Sequence, residues 1–100
     1  MVGVGTVLMH GVIVNAGVRV GNNCIINTRT LIEHDTVVED HGHISTGVIL
    51  NGDVSVGAGS FIGSGSLIKE GVTIGQGCLV GMCLTVRHNL SDHTRFVGYA

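Results

Sequence analysis

A branched aliphatic residue stands at every sixth position of this chain from Val2 to Val86, fifteen times in fifteen places and with no slip of phase. The run begins Val2, Leu8, Val14, Val20, Ile26, Ile32 and closes Ile74, Val80, Val86. Six does not fit the 3.6-residue helix period, but it is three times the two-residue period of a strand. A short repeat held over most of a chain is the signature of a parallel β-helix. Each repeat there is one side of a coil and buries its aliphatic residue only against the coils above and below it.

Composition supports a solenoid over an ordinary small core. The chain has 100 residues, enough for one domain, with 44% hydrophobic and 12% charged residues. Three aromatics are too few to fill a conventional core, and seventeen glycines with no proline are unusual for one. A narrow interior of layered Val and Ile accounts for both. A net charge of −2 with no lysine or arginine cluster argues against nucleic acid as a partner. No signal-like segment opens the chain, and glycine interrupts every apolar stretch before it could span a bilayer, so no membrane partner is expected. Cys24 and Cys78 fall in one slot of the repeat, fifty-four residues apart. Three coils at ~4.8 Å put them beyond disulfide reach. Both read as small core residues and Cys83 as a turn thiol, which suits a reducing compartment and a cytoplasmic location.

Counting each hexad from its aliphatic residue, the fifth position also points inward; most residues there are small or β-branched, as in Thr6, Cys24, Thr36 and Ser60, and the series ends at Leu90. The fourth position is mostly Gly, Asn or Asp, types that tolerate positive φ, and marks a corner. Three hexads then close a triangular coil of eighteen residues, and fifteen hexads make five coils over residues 1–91. The stretch 92–100 leaves the register and is expected to fold back over one end as a tail. The repeat is already running at Met1, which suggests a domain preceding this one that is missing here.

Coil two and the start of coil three depart from the rule. Arg29, Asp35 and His41 take corner positions where glycine is the norm, and Glu33 and Glu39 follow aliphatics where Gly or Asn is usual. The segment thus gathers Asn27, Glu33, His34, Asp35, His41 and His43. Departures that cluster on a repeat mark function more often than structure. His34 sits on a corner with its side chain outward, and Asp35 can bind one ring nitrogen and raise the basicity of the other. His43 lies half a coil further round, so the two histidines cannot converge within one prism. They can meet across the cleft between two prisms.

The hexads together with INT, IEHD, HIS and the downstream NGDVSVGAGSFIGSGSLI resemble the acetyl-coenzyme A-dependent sugar acyltransferases of the NeuD/PglD type, over roughly residues 2 to 98. The resemblance implies an all-β, left-handed parallel β-helix that assembles as a homotrimer. It implies acetyl transfer from acetyl-CoA, as co-substrate, to an amino or hydroxyl group of a nucleotide-linked sugar. By the same resemblance His34 is the general base, Asp35 its partner, and Asn27 lies one corner upstream. His43 lies near the acetyl group, and Gly52 offers its N–H to the thioester carbonyl. Ser64 and Met82, eighteen apart, lie along the pantetheine arm. No resident metal is implied, and the family's N-terminal sugar-nucleotide-binding domain is expected to be absent from these 100 residues.

Three features depart from the family. Thr46 stands where proline is common, Met82 replaces a small residue, and the chain ends FVGYA. Two other functions stay open. One is a trimeric scaffold without catalysis. The other is a zinc anhydrase, for which His88 and His93 have a suggestive spacing while His41 and His43 point to different sides of one strand. Arg87, His88 and Arg95 could attract a phosphate of coenzyme A, whereas His10 and Arg19 read as surface.

Overall fold

A computed structural model describes residues 1–98 and shows the parallel β-helix that the repeat demands. Each hexad contributes a strand of two residues, one outward and one inward, followed by a tight turn. The fifteen strands, numbered in chain order, form three sheets. One sheet has six strands: β1 (Val7–Leu8), β4 (Ile25–Ile26), β7 (His43–Ile44), β10 (Phe61–Ile62), β13 (Leu79–Val80) and β15 (Arg95–Phe96). A second has five: β2 (Ile13–Val14), β5 (Leu31–Ile32), β8 (Ile49–Leu50), β11 (Leu67–Ile68) and β14 (Thr85–Val86). The third has four: β3 (Arg19–Val20), β6 (Val37–Val38), β9 (Ser55–Val56) and β12 (Thr73–Ile74). Every pairing is parallel, and the strands from Val7 to Val86 pair with one another at an offset of eighteen, as Ile26 does with Ile44.

The turns follow the corner rule. Every fourth position from Gly5 to Cys83 has positive φ, including Asn23 (54°), Arg29 (62°), Asp35 (60°), His41 (62°) and Asp53 (58°). Inside, the aliphatic column is dry: Ile26, Ile32, Ile44, Leu50, Ile62 and Ile68 are fully buried. The fifth-position hydroxyls staple the coils. Thr36 Oγ1 donates to Asn51 O at 2.8 Å and accepts from Val54 N at 3.3 Å. Ser60 Oγ does the same with Gly75 O (2.7 Å) and Cys78 N (2.9 Å). Among the described residues no buried side-chain polar atom lacks a partner, so these hydroxyls hold the interior without the cost of an unpaired dipole. Cys24 and Cys78 are buried and free, and Cys83 is exposed, as the repeat places them. No helix among the described residues is long and apolar enough to cross a membrane.

The last coil corrects the sequence reading. Leu90 does not take a fifth-position slot; it bridges Ile74, and Arg95–Phe96 pairs with Leu79–Val80, both at an offset of sixteen. The hexad after Val86 is therefore two residues short, and the winding resumes. Asn89 is not a positive-φ corner; that conformation passes to His93 (61°). The missing backbone acceptor is replaced by the Asn89 side chain, whose Oδ1 takes the Thr73 N–H at 2.8 Å. Residues up to Phe96 thus extend the prism and do not fold back over its end. Tyr99 and Ala100, the close of the FVGYA departure, lie outside the described residues.

Candidate active site

The three edges of the prism carry different columns of side chains. The edge between the five- and four-stranded sheets stacks Ala16, His34, Gly52 and Glu70, one per coil. His34 sits on the turn between β5 and β6, exposed, with its Nδ1 3.1 Å from Asp35 Oδ2. An ionised carboxylate can only accept, so Nδ1 carries the proton and Nε2 presents its lone pair. The hydrogen bond to Asp35 holds the His34 pKa above its ordinary 6.5; desolvation opposes this, and the charges of Asp53, Asp35 and Glu33 add to it. With the side chains of His34 and Asp35 60% and 62% exposed, the pair contributes little to stability. Its effect is to orient and polarise a base.

Gly52 lies directly beneath that base. A Cβ added there would collide with His34 Nε2 and come within 2.7 Å of Cε1. Only glycine lets the imidazole rest in this position, and its φ is not in the left-handed region, so space and not backbone conformation is what the site requires. The glycine is fixed by its neighbours: its carbonyl accepts from Gly71 N at 2.9 Å, Asp53 N donates to His34 O at 3.0 Å, and Asn51 Nδ2 donates to Ile68 O at 2.9 Å. Among the described residues the Gly52 N–H meets no protein acceptor. A basic nitrogen and a free backbone donor therefore stand side by side. A nucleophile can be deprotonated there while a neighbouring carbonyl oxygen gains negative charge.

The structure adds Asp53 to this group. Ligand-capable atoms of His34, Asp35 and Asp53 lie within 4.8 Å of one another, and all three residues are exposed. Applying the eighteen-residue stacking rule to Asp35, as to His34, points to Asp53 from the sequence. Glu33 is already engaged: its Oε1 accepts from Asn15 Nδ2 at 2.8 Å.

The other sequence-derived site residues lie elsewhere on the prism. Asn27 is on the edge between the six- and five-stranded sheets, where its Oδ1 accepts from Thr28 N at 2.8 Å and caps its own turn. Ser64 and the exposed Met82 stack on that same edge. His43 is in β7, on the outer face of the six-stranded sheet, with its ring 4.9 Å from Phe61 in an edge-on contact. One chain thus brings together His34, Asp35 and Gly52, and groups Asn27, Ser64 and Met82 on a different edge, with His43 on the adjoining face. The two larger surface grooves border the remaining edge, around Gly21 and Glu39 and around Gly57 and Gly75, and neither contains His34. Pocket shape alone would have missed the chemistry, because an exposed edge becomes a cleft only when something stands opposite it.

The family model of the bacterial transferase hexapeptide (six repeats) matches residues 53–88. Among solved structures, perosamine N-acetyltransferase of Caulobacter crescentus (the H141N mutant, in complex with CoA and GDP-perosamine) superposes with a TM-score of 0.95 at 35% identity, covering 97% of this chain and 46% of that one. WeeI of Acinetobacter baumannii gives 0.93 at 25% identity over 97% and 48%. The acetyltransferase domain of PglB from Neisseria gonorrhoeae gives 0.74 at 26% identity over 95% and 49%. The chain spans about half the length of these structures. Over residues 53–88 its repeat is similar to that of the bacterial transferases, and its left-handed β-helix has the fold of these acetyltransferase structures.

Proposed function

We propose that this chain is an acetyl-CoA-dependent acetyltransferase acting on a nucleotide-linked sugar, with His34 as general base. The observation that carries the reading is the imidazole of His34, polarised by Asp35 through Nδ1 and resting on Gly52. His34 Nε2 accepts the proton of the incoming amine or hydroxyl as it attacks the thioester carbon. The Gly52 N–H faces the carbonyl oxygen on which charge develops, and coenzyme A leaves as the thiol. No covalent enzyme intermediate is needed, so the three cysteines have no role in the step. The bound GDP-perosamine and N-acetyl transfer named for the Caulobacter relative favour an amino over a hydroxyl acceptor.

Trimeric assembly completes the site in this reading. Ile13, Leu31 and Leu67 point outward from the five-stranded sheet, and Val7, Ile25 and Phe61 from the six-stranded one; the four-stranded sheet turns out Arg19, Val37, Ser55 and Thr73, mostly polar. Ile13 is 55% and Val7 47% exposed. Two apolar faces and one polar face suit a prism with a neighbour on two sides. A neighbour's His43, Asn27, Ser64 and Met82 would then stand opposite His34, with the pantetheine arm between. Three free cysteines and the proposed coenzyme A chemistry fit a cytoplasmic setting.

The test is thiol release from acetyl-CoA with a panel of nucleotide-linked amino and hydroxy sugars, comparing the wild type with His34→Ala. Loss of a positioned general base lowers kcat by about 10²–10⁴-fold. Equal rates would remove His34 from the mechanism, and absence of coenzyme A binding by calorimetry would favour a non-catalytic scaffold.

A further inference from the structure

The corner column through Asp35 runs Gly17, Asp35, Asp53, Gly71, all at positive φ (74°, 60°, 58° and 74°). Aspartate at such a corner is less comfortable than glycine. Two aspartates on neighbouring coils, whose strands lie ~4.8 Å apart, also set like charges side by side. Glycine at position 53 would avoid both costs. Aspartates elsewhere on this prism have evident structural work: Asp40 Oδ1 accepts from Asn22 N at 2.8 Å and Asp92 Oδ1 from Gln76 N at 3.0 Å. Among the described residues the Asp53 carboxylate accepts no hydrogen bond at all. What it has is proximity to His34 and Asp35, within 4.8 Å, and a main-chain bond from its N–H to the His34 carbonyl.

We propose that Asp53 is a positioning residue for His34: from the next coil its carboxylate steadies the imidazole over Gly52 and stabilises the imidazolium formed when the ring takes the acceptor's proton. Asp35 orients the ring through Nδ1, and Asp53 acts through space from the adjacent layer. The charged groups facing His34 are Asp35, Asp53 and Glu33, of which Glu33 is engaged by Asn15. Removing Asp53 therefore removes the one facing charge that no hydrogen bond already holds. The inference rests on His34 being the base, but it can be read without turnover.

The experiment is an NMR titration of the His34 ring at low ionic strength in the whole chain, for wild type, Asp53→Asn and Asp53→Gly. It is paired with thermal unfolding and the pH dependence of kcat/KM. The His34 midpoint is expected to fall in both variants, while Asp53→Gly melts at the same temperature as wild type or higher. The acid limb of kcat/KM should move down with it, and kcat should fall several-fold at an unchanged KM for acetyl-CoA. A His34 midpoint that stays in place in both variants overturns the proposal, whatever the activity. So does a shifted midpoint with unchanged kcat and pH profile. If His34→Ala retains full activity the general-base reading fails instead, and the ring titration still decides whether Asp53 acts on His34.

Discussion

Inside the prism, Ile26, Ile44, Ile62 and Val80 stack in four successive coils with no exposed surface, one shape repeated because each layer must fill the same cross-section. On the edge that runs through His34 the successive residues are Ala16, His34, Gly52 and Glu70, and no two share a chemistry. Both columns advance by the same eighteen residues per coil. The difference is solvent: an interior layer is constrained by its neighbours on every side, whereas an edge residue must only allow the chain to turn. A solenoid of this kind therefore separates stability from function by direction, inward against outward, and two residues adjacent in sequence can obey unrelated rules. Gly52 is the point where the two meet. It is buried, yet what an added Cβ would meet there is the outward imidazole of His34 and not the core.

That contrast can be broken from either side. Ile44→Ala should cost about 2–5 kcal/mol in urea unfolding, since the fully buried side chain leaves a cavity that two rigid neighbouring coils cannot close. A cost below about 1 kcal/mol would mean that the column is looser than its zero exposure implies. Gly52→Ala should do the opposite. Its Cβ displaces an exposed imidazole that is free to swing away, so activity should fall by about 10²-fold or more with almost no change in melting temperature. Parallel losses of stability and activity would show that the glycine serves the coil and not the base.

A smaller effect tests the staples between coils. Thr36→Val keeps the shape but leaves Asn51 O and Val54 N without their hydroxyl partner, and should destabilise the chain by about 1–3 kcal/mol. The mildest prediction concerns pH. With its pKa raised above 6.5 by Asp35, His34 is protonated and inactive as a base at low pH. kcat/KM should therefore climb as pH rises through that raised value and level off above it. Asp35→Asn should move the limb to lower pH, and added salt should move it the same way, because the pair is exposed and screened. A limb that stays fixed in both tests would detach Asp35 from the base.

The six-residue period alone determined the coil, the inward column, the positive-φ corners and the burial of Cys24 and Cys78, because a repeat leaves one way to bury its aliphatics. It also located the edge of His34, since eighteen residues per coil is simple arithmetic. The same arithmetic failed after Val86, where the period hides a shortened turn. Only the folded chain shows that the Asn89 side chain can stand in for a lost carbonyl, so that Leu90 and Phe96 rejoin the stack. Tertiary structure also decided what lies against what: the imidazole on Gly52, Asp53 beside it, and Asn27, His43, Ser64 and Met82 on other parts of the prism. Periodicity specifies which residues share a column, because backbone hydrogen bonds fix the layers. The direction in which a long outward side chain leans depends on the space its neighbours leave.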